Sequence, residues 1–336
     1  MNEASRKLIL PPRSRRADGE LRRVGVELEL GGMDIEPLSA LVGEVIGGEI
    51  SRATRYEHEV SGDPAGAWKI ELDFELLKEM GREAEAAGEG ERDLLDKAAE
   101  NVLRKGANQV VPLEVVSPPL PLDRLAEVEV LIDRLREEGA LGTGAGLTYA
   151  FGLQLNPEMP DLEARTISAY LQAFLCLYEW LLKKSTVDST RRLTRFAAPF
   201  PGAYVRQVVD PAYRPSLETL IDDYLKANPT RNRPLDLLPL FLHLDEDRVR
   251  AVVEDPRVKP RPALHYRLPN CEVDRPGWGL HEPWNDWLQV ECLAADEDRL
   301  AAMRRKYAEH LDKTIGQFFE DWAEEVGSWL VTPQDL

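Results

Sequence analysis

Cysteine and long apolar runs are both scarce in this chain of 336 residues. Its three cysteines, Cys176, Cys271 and Cys292, form neither a Cys-x-x-Cys pair nor an even disulfide framework, which is typical of a reducing compartment. No apolar run approaches the ~20 residues that a membrane-spanning helix requires. Residues 1–23 have no apolar core of the kind found in secretory signals. We therefore predict a cytoplasmic protein without membrane spans, and expect residues 1–23 to form a disordered lead.

Basic residues are also in the minority. The chain has 42 basic and 60 acidic residues, which gives a net charge of −18. A field of that sign repels a phosphate backbone, which argues against nucleic acid as a principal partner. It is compatible with ATP, because bound Mg²⁺ changes the sign of the local field. With 43% hydrophobic residues, the chain is able to bury a sizeable core. Composition leaves the oligomeric state open.

Six short segments have the period-2 alternation, or the Gly and Pro boundaries, of β-strands. They are residues 24–30, 67–74, 110–116, 147–156, 263–268 and 287–293. Helical patterns lie between and after them, at residues 75–104, 122–138, 161–184, 216–227 and 296–330. Many gaps are too short for regular crossover helices, which argues against a doubly wound parallel sheet. The predicted fold class is α+β, with a largely antiparallel six-stranded sheet and helices packed on one face.

The polar residues of the predicted strands gather on one face, because residues two apart in a strand point to the same side. They are Glu27, Glu29, Lys69, Glu71, Asp73, Glu114, Gln154, Asn156, His265, Arg267, Gln289 and Glu291. A single strand with this alternation is more often an amphipathic strand whose polar face is simply exposed to solvent. Six of them collect carboxylates that repel one another and attract a cation. Oxygen ligands favour Mg²⁺ or Mn²⁺, whereas no His/Cys spacing supports zinc.

Four short motifs follow one another along the chain: VGVELEL at 24–30, WKIELD at 68–73, EVVSPPL at 114–120 and YRLPN at 266–270. This series resembles the amidoligase family, relatives of glutamine synthetase and glutamate–cysteine ligase. The resemblance implies a sheet of glutamine-synthetase type in a catalytic domain at 24–295, with an insertion at about 186–262 and a C-terminal helical segment at 296–336. The chain departs from the family at Gln154 and Asn156, where a His-x-His segment is usual, and at Glu75, where Ser is usual.

The activity that the resemblance implies is ATP-dependent joining of a carboxylate to an amine, on a small molecule or peptide, through an acyl phosphate. Such chemistry requires metal-holding carboxylates and a phosphate-binding cation. The metal ligands that it implies for Mg²⁺ or Mn²⁺ are Glu27, Glu29 and Glu114. The catalytic residues that the resemblance implies are Arg267 on the transferred phosphate and Glu71, Asp73 and Glu291 as bases or further ligands. The residues that hold nucleotide or substrate are Lys69, Gln154, Asn156, Arg191 and Arg195.

Two other interpretations stay open. A family member that binds nucleotide or peptide without ligation would account for Gln154 and Asn156, because amides form hydrogen bonds but do not exchange protons. A metal-dependent hydrolase would use the same acidic face on amides or phosphate esters, without a nucleotide. For Arg267 and Glu291, a cross-strand ion pair is an equally simple interpretation.

Overall fold

The computed structural model describes residues 6–72, 113–143, 151–185, 198–313 and 321–332. Asp73, Arg191, Arg195 and the predicted helix at 75–104 lie outside the described residues. The described part is a mixed α+β structure in which an antiparallel sheet of nine strands is accompanied by ten α-helices.

The sheet confirms the predicted antiparallel arrangement but has nine strands where six were predicted. The strands are β1 Arg23–Leu30, β2 Glu49–Arg52, β3 Glu57–Ser61, β4 Trp68–Leu72, β5 Leu113–Val116, β6 Leu120–Pro121, β7 Leu153–Pro157, β8 Leu235–Asp236 and β9 His265–Tyr266. Their spatial order is β2-β3-β4-β5-β1-β7-β9-β8, and β6 pairs with the start of β1. Every pairing is antiparallel. The sequence did not predict β2, β3, β6 and β8. The glutamine-synthetase type of the sheet stays a prediction.

The helices come from several parts of the chain. They are α1 Ile35–Ile46, α2 Ala126–Glu137, α3 Ala164–Lys184, α4 Gly202–Val209, α5 Leu217–Ala227, α6 Leu238–Leu244, α7 Glu246–Arg250, α8 His281–Ala295, α9 Glu297–Lys313 and α10 Trp322–Val326. Five of them match helices predicted from the sequence: α2, α3 and α5 each match one predicted helix, and α9 and α10 both lie within the helix predicted at 296–330. In the described part of the chain, no helix combines the length and apolarity that crossing a membrane would take.

The strands turn one apolar face towards the helices. In β1, Val26 and Leu28 are buried while Glu27 and Glu29 on the other side are only half-buried. On the apolar face Tyr266 contacts helices directly, since its ring centroid lies 6.0 Å from that of Phe174 in α3 and 5.1 Å from that of Trp287 in α8. The hydrophobic core therefore lies between the sheet and these helices, and the acids project from the opposite face.

The prediction of a strand at residues 287–293 is wrong, because this segment belongs to helix α8. Its buried residues Trp284, Trp287, Leu288 and Glu291 recur at helical spacing. Glu291 is buried because Arg22 donates to both of its carboxylate oxygens, at 2.8 Å each. Glu291 thus lies in the helical layer, on the other side of the sheet from the acidic face on which it was predicted.

Residues 6–22 pack against the domain, which departs from the disordered lead expected for this part of the chain. Arg6 forms ion pairs with Glu129 at 2.7 Å and with Asp133 at 2.8 Å, both in α2. The indole N–H of Trp284 donates to the carbonyl of Ile9 at 2.8 Å. These contacts, together with the buried Arg22, attach the segment to the helical layer.

Candidate functional site

A row of carboxylates crosses four adjacent strands on the polar face. Glu29 of β1 lies opposite Glu114 of β5, Glu114 lies opposite Glu71 of β4, and Glu71 lies opposite Glu57 of β3. Directly opposite residues on antiparallel strands point to the same side, with Cβ atoms about 5 Å apart. The predicted common face of Glu29, Glu71 and Glu114 is therefore confirmed. Glu57 is an addition that was missed, because β3 was not predicted.

Like charges placed opposite each other on a sheet are destabilising. Glu29, Glu71 and Glu114 are each half-buried, so water screens their repulsion less than it would on an open surface. A cation bound along this row would relieve the repulsion. A second row of opposed residues lies two residues along the strands from the acid row, and it contains Glu27 of β1, Val116 of β5, Lys69 of β4 and Glu59 of β3. Lys69 therefore places its charge in this neighbouring row, opposite Glu59.

Glu27 occupies that neighbouring row and is oriented by two amides. Its Oε1 accepts hydrogen bonds from Gln154 Nε2 at 2.8 Å and from Asn156 Nδ2 at 2.6 Å. Asn156 has room for this contact because the residue opposite it is Gly25, where an added Cβ would lie 3.3 Å from Asn156 Nδ2. The glycine of the VGVELEL motif thus permits the close packing of Asn156 beside Glu27.

Arg267 lies at the far end of the same network. One of its terminal nitrogens donates to Gln154 Oε1, and the other lies 3.3 Å from Asp236 Oδ2. Gln154 therefore links the guanidinium to Glu27, with its oxygen towards the cation and its nitrogen towards the carboxylate. The alternative interpretation of a cross-strand ion pair between Arg267 and Glu291 is wrong, because Arg267 pairs with Asp236 and Glu291 pairs with Arg22. Asp236 was missed because β8 has only two residues.

Asp236 is fully buried, and burial raises the pKa of its carboxyl while the charge of Arg267 opposes that rise. A buried carboxylate beside a guanidinium fixes the orientation of the cation by charge and by hydrogen bonding. Arg267 therefore presents its planar group from a fixed position at the edge of the polar face.

His265 is a neutral component of the network. Its Nδ1 lies 3.2 Å from Gln154 Nε2, and burial followed by the charge of Arg267 holds its pKa well below the ordinary value. Its Nε2 is buried and has no hydrogen-bond partner among the described residues. The ring therefore adds no positive charge next to Arg267 near neutral pH.

Ser117 of the EVVSPPL motif supports the strands that carry the acids. Its Oγ accepts from the main-chain N–H of Val26 at 2.9 Å and donates to the carbonyl of Pro118 at 2.9 Å. It thus joins the end of β5 to the middle of β1. The role of this motif in the described structure is to hold Glu27 and Glu114 on neighbouring strands.

A complete metal site is not seen in the described ranges, where no group of three or more His, Cys, Asp or Glu side chains is arranged to hold an ion. Pairs of adjacent carboxylates remain, such as Glu29 with Glu114. Mg²⁺ is commonly held by one or two carboxylates together with substrate phosphates and water. The donor set therefore fits a Mg²⁺ that arrives with a nucleotide better than one held by protein ligands alone.

Residues 20–289 match the family described as "Putative amidoligase enzyme". The chain belongs to this amidoligase family. The match contains all nine strands, and with them the acid row, the Glu27 network and Arg267. No curated protein and no solved structure matches the chain. Membership supports an enzyme of the ligase type and confirms the resemblance found in the four sequence motifs.

Proposed function

We propose that this amidoligase-family protein is an ATP-dependent ligase that joins a carboxylate to an amine through an acyl phosphate. The observation that carries the proposal is the polar face, which has a row of carboxylates at one end and a fixed guanidinium at the other. Phosphoryl transfer depends mainly on positioning and charge neutralisation. Both requirements are matched by side chains on this one face.

Glu29 and Glu114 would hold Mg²⁺ or Mn²⁺ together with the phosphates of ATP, and Glu27 would contribute its second oxygen. The ion would supply neutralisation of the phosphate charge. Gln154 and Asn156 keep Glu27 in place, since both donate to one of its oxygens. These amides replace the histidines usual in the family, and they position without exchanging protons.

Arg267 would bind the γ-phosphate and then the acyl phosphate. A guanidinium offers two parallel N–H groups that match phosphate oxygens. Its anchors, Gln154 and the buried Asp236, reduce the freedom that binding would otherwise have to remove. Because His265 is neutral, it adds no competing positive charge beside Arg267.

Glu71 or Asp73 would deprotonate the incoming ammonium, since each is a carboxylate from the second strand motif. Glu71 stands in the acid row, directly opposite Glu114. Lys69, Arg191 and Arg195 would contact nucleotide or substrate. We propose no such role for Glu291, which is buried against Arg22 in the helical layer.

Hydroxylamine tests the acyl phosphate without knowledge of the natural amine. The protein is incubated with ATP, Mg²⁺, hydroxylamine and a panel of amino acids and dipeptides, and ferric iron detects the hydroxamate. In the first step the carboxylate oxygen attacks the γ-phosphorus and ADP leaves. The hydroxylamine nitrogen then attacks the acyl carbon and phosphate leaves. We expect hydroxamate that requires both ATP and Mg²⁺.

Two site variants and one control locate the activity. Glu29→Gln and Arg267→Lys should each lower the rate by about 100-fold or more, as expected for loss of transition-state charge stabilisation. Glu254→Gln, which changes an exposed acid in a loop, should leave the rate unchanged. Nucleotide binding without hydroxamate from any acid in the panel would favour a binding-only family member. Metal-dependent amide or phosphate-ester cleavage without nucleotide would favour a hydrolase.

A further inference from the structure

A cavity of about 290 Å³ lies within the helical layer. Its walls come from α3, from the connection between α4 and α5 at residues 213–215, and from the junction of α8 and α9. Helix α3 packs on the apolar face of the sheet, where Phe174 meets Tyr266. The cavity is therefore separated by the sheet from the acidic face, and the proposed ligase function does not use it.

The charge of this cavity is opposite to that of the protein. Its lining contains four arginines, Arg13, Arg165, Arg214 and Arg304, and a single carboxylate, Glu297, in a chain of net charge −18. Two of the arginines are paired, since Arg165 lies 3.3 Å from Glu297 and Arg13 lies 2.6 Å from Asp161. The remaining two, Arg214 and Arg304, differ from these in their acceptors.

Arg214 and Arg304 have only main-chain acceptors among the described residues. Arg304 is 3% exposed, and its guanidinium donates to the carbonyls of Val209 and Asp210. Arg214, at the exposed rim, donates to the carbonyls of Pro211 and Tyr213, at 3.1 and 3.3 Å. Neither forms an ion pair with a carboxylate in the described part of the chain. A buried guanidinium without a paired carboxylate is costly, and the more distant charge of Asp210 offsets only part of the effect of burial on Arg304.

The pKa of Arg304 is lowered from its ordinary value, as expected for a guanidinium in that arrangement. Burial lowers it, and the positive charge of Arg214 lowers it further. The two guanidinium groups therefore repel each other across the cavity. An anion placed between them would reverse both effects, because it would neutralise the buried charge and attract both cations.

The lining of the cavity also contains the hydroxyl of Ser168, a possible hydrogen-bond donor. Ser168 is 6% exposed, and its buried Oγ has no hydrogen-bond partner among the described residues. Gln172, one helical turn later on α3, is also buried and lines the same cavity. Unsatisfied buried hydroxyls are uncommon because each costs free energy. The hydroxyl of Ser168 is thus available to a bound oxyanion.

We propose that this cavity binds a small organic anion, through a carboxylate or phosphate group held by Arg214, Arg304 and Ser168. The volume lies at the lower end of the range for small-molecule sites. Ala294, Leu300 and Ala301 form an apolar part of the wall, against which a short carbon skeleton would pack. The site is a second binding site, and its occupancy is independent of the ligase chemistry.

Calorimetric titration of the full chain with inorganic phosphate, and separately with citrate, tests the proposal. We expect binding of at least one probe, and the preferred probe shows whether the site selects phosphate or carboxylate. Arg214→Gln should weaken that binding by about 10-fold or more, since hydrogen bonds to charged groups are the strong ones. Ser168→Ala should weaken it several-fold without lowering the unfolding temperature, because the hydroxyl has no partner to lose among the described residues.

Two control variants test whether the binding is specific to this cavity. Arg134→Gln removes an arginine on α2 that pairs with Glu44 at 3.1 Å outside the cavity, and binding should be unchanged. Glu29→Gln should also leave anion binding unchanged, which separates the result from the ligase proposal. Absence of binding for both probes up to about 10 mM would overturn the proposal. Equal binding by Arg214→Gln and Arg134→Gln would overturn it too.

Discussion

The buried ion pair between Arg22 and Glu291 offers the sharpest stability prediction. The two side chains are 2% and 0% exposed, and both guanidinium–carboxylate hydrogen bonds are 2.8 Å long. Glu291 also accepts hydrogen bonds from the hydroxyl of Tyr170 and from the indole of Trp287. Four donors therefore depend on one carboxylate that lies 269 residues from Arg22 in sequence.

The substitution Glu291→Gln keeps the shape of the side chain and removes its charge. Breaking one partner of a buried pair generally costs about 3–5 kcal/mol, because the other charge is left uncompensated. The amide retains one acceptor oxygen, so we expect a loss of about 3 kcal/mol in the free energy of unfolding. Glu297→Gln is the matched control, since its pair with Arg165 is 76–77% exposed and should contribute little.

Urea denaturation of the three proteins measures these differences, with the m-value used to check that unfolding stays two-state. ATP binding is measured on the same samples and should be unchanged in Glu291→Gln, because Glu291 lies behind the sheet. A loss of stability below about 1 kcal/mol would refute the structural role of this ion pair. Loss of nucleotide binding in a folded Glu291→Gln protein would refute its placement away from the site.

Three further predictions concern the site and a second buried acid. The substitution Gly25→Ala should lower the free energy of unfolding in urea by about 1 kcal/mol and weaken ATP binding, because the new methyl displaces Asn156 from Glu27. Unchanged stability and unchanged ATP binding would contradict this. The pKa of His265 is lowered on folding, so the free energy of unfolding should fall by about 1.4 kcal/mol per pH unit below about pH 6.5. The substitution His265→Asn should reduce that loss between pH 7 and pH 5. Identical pH dependences of the two proteins would contradict this. Burial raises the pKa of Asp286 from 3.8 to about 6. The substitution Asp286→Asn should therefore stabilise the protein at pH 8 by about 3 kcal/mol, and the gain should vanish as the pH falls below 3.8, where the carboxyl is protonated in both states. A loss of stability at pH 8 would contradict this.

Strand alternation predicted the centre of the sheet well. The segment predicted at 24–30 is strand β1 Arg23–Leu30, and its register places Glu29 and Glu114 side by side as the shared face required. This worked because each of these strands buries one face against helices, so the apolar period directly reports which side chains point together. The sequence alone therefore predicts that these carboxylates share one face of the sheet, without knowledge of which strands are neighbours.

The other parts depended on contacts that are distant in sequence. Strands β2 and β3 contain few apolar residues, since most of their side chains are exposed, and β8 has two residues. The alternation of Gln289 and Glu291 with apolar residues predicts a strand at 287–293, whereas the segment is helical and Glu291 is buried. Its burial depends on Arg22, just as the burial of Asp236 depends on Arg267. Local periodicity contains no information about such pairs.

Binding of nucleotide to the acidic face is the step on which the proposed ligase depends, and calorimetric titration with ATP, with and without Mg²⁺, measures it. The proteins compared are the wild type, Glu29→Gln and the exposed control Glu254→Gln. We expect binding that requires the metal, weakens by about 10-fold or more in Glu29→Gln and is unchanged in Glu254→Gln. Absence of ATP binding with either Mg²⁺ or Mn²⁺, or equal binding by the two variants, would contradict a nucleotide site on this face.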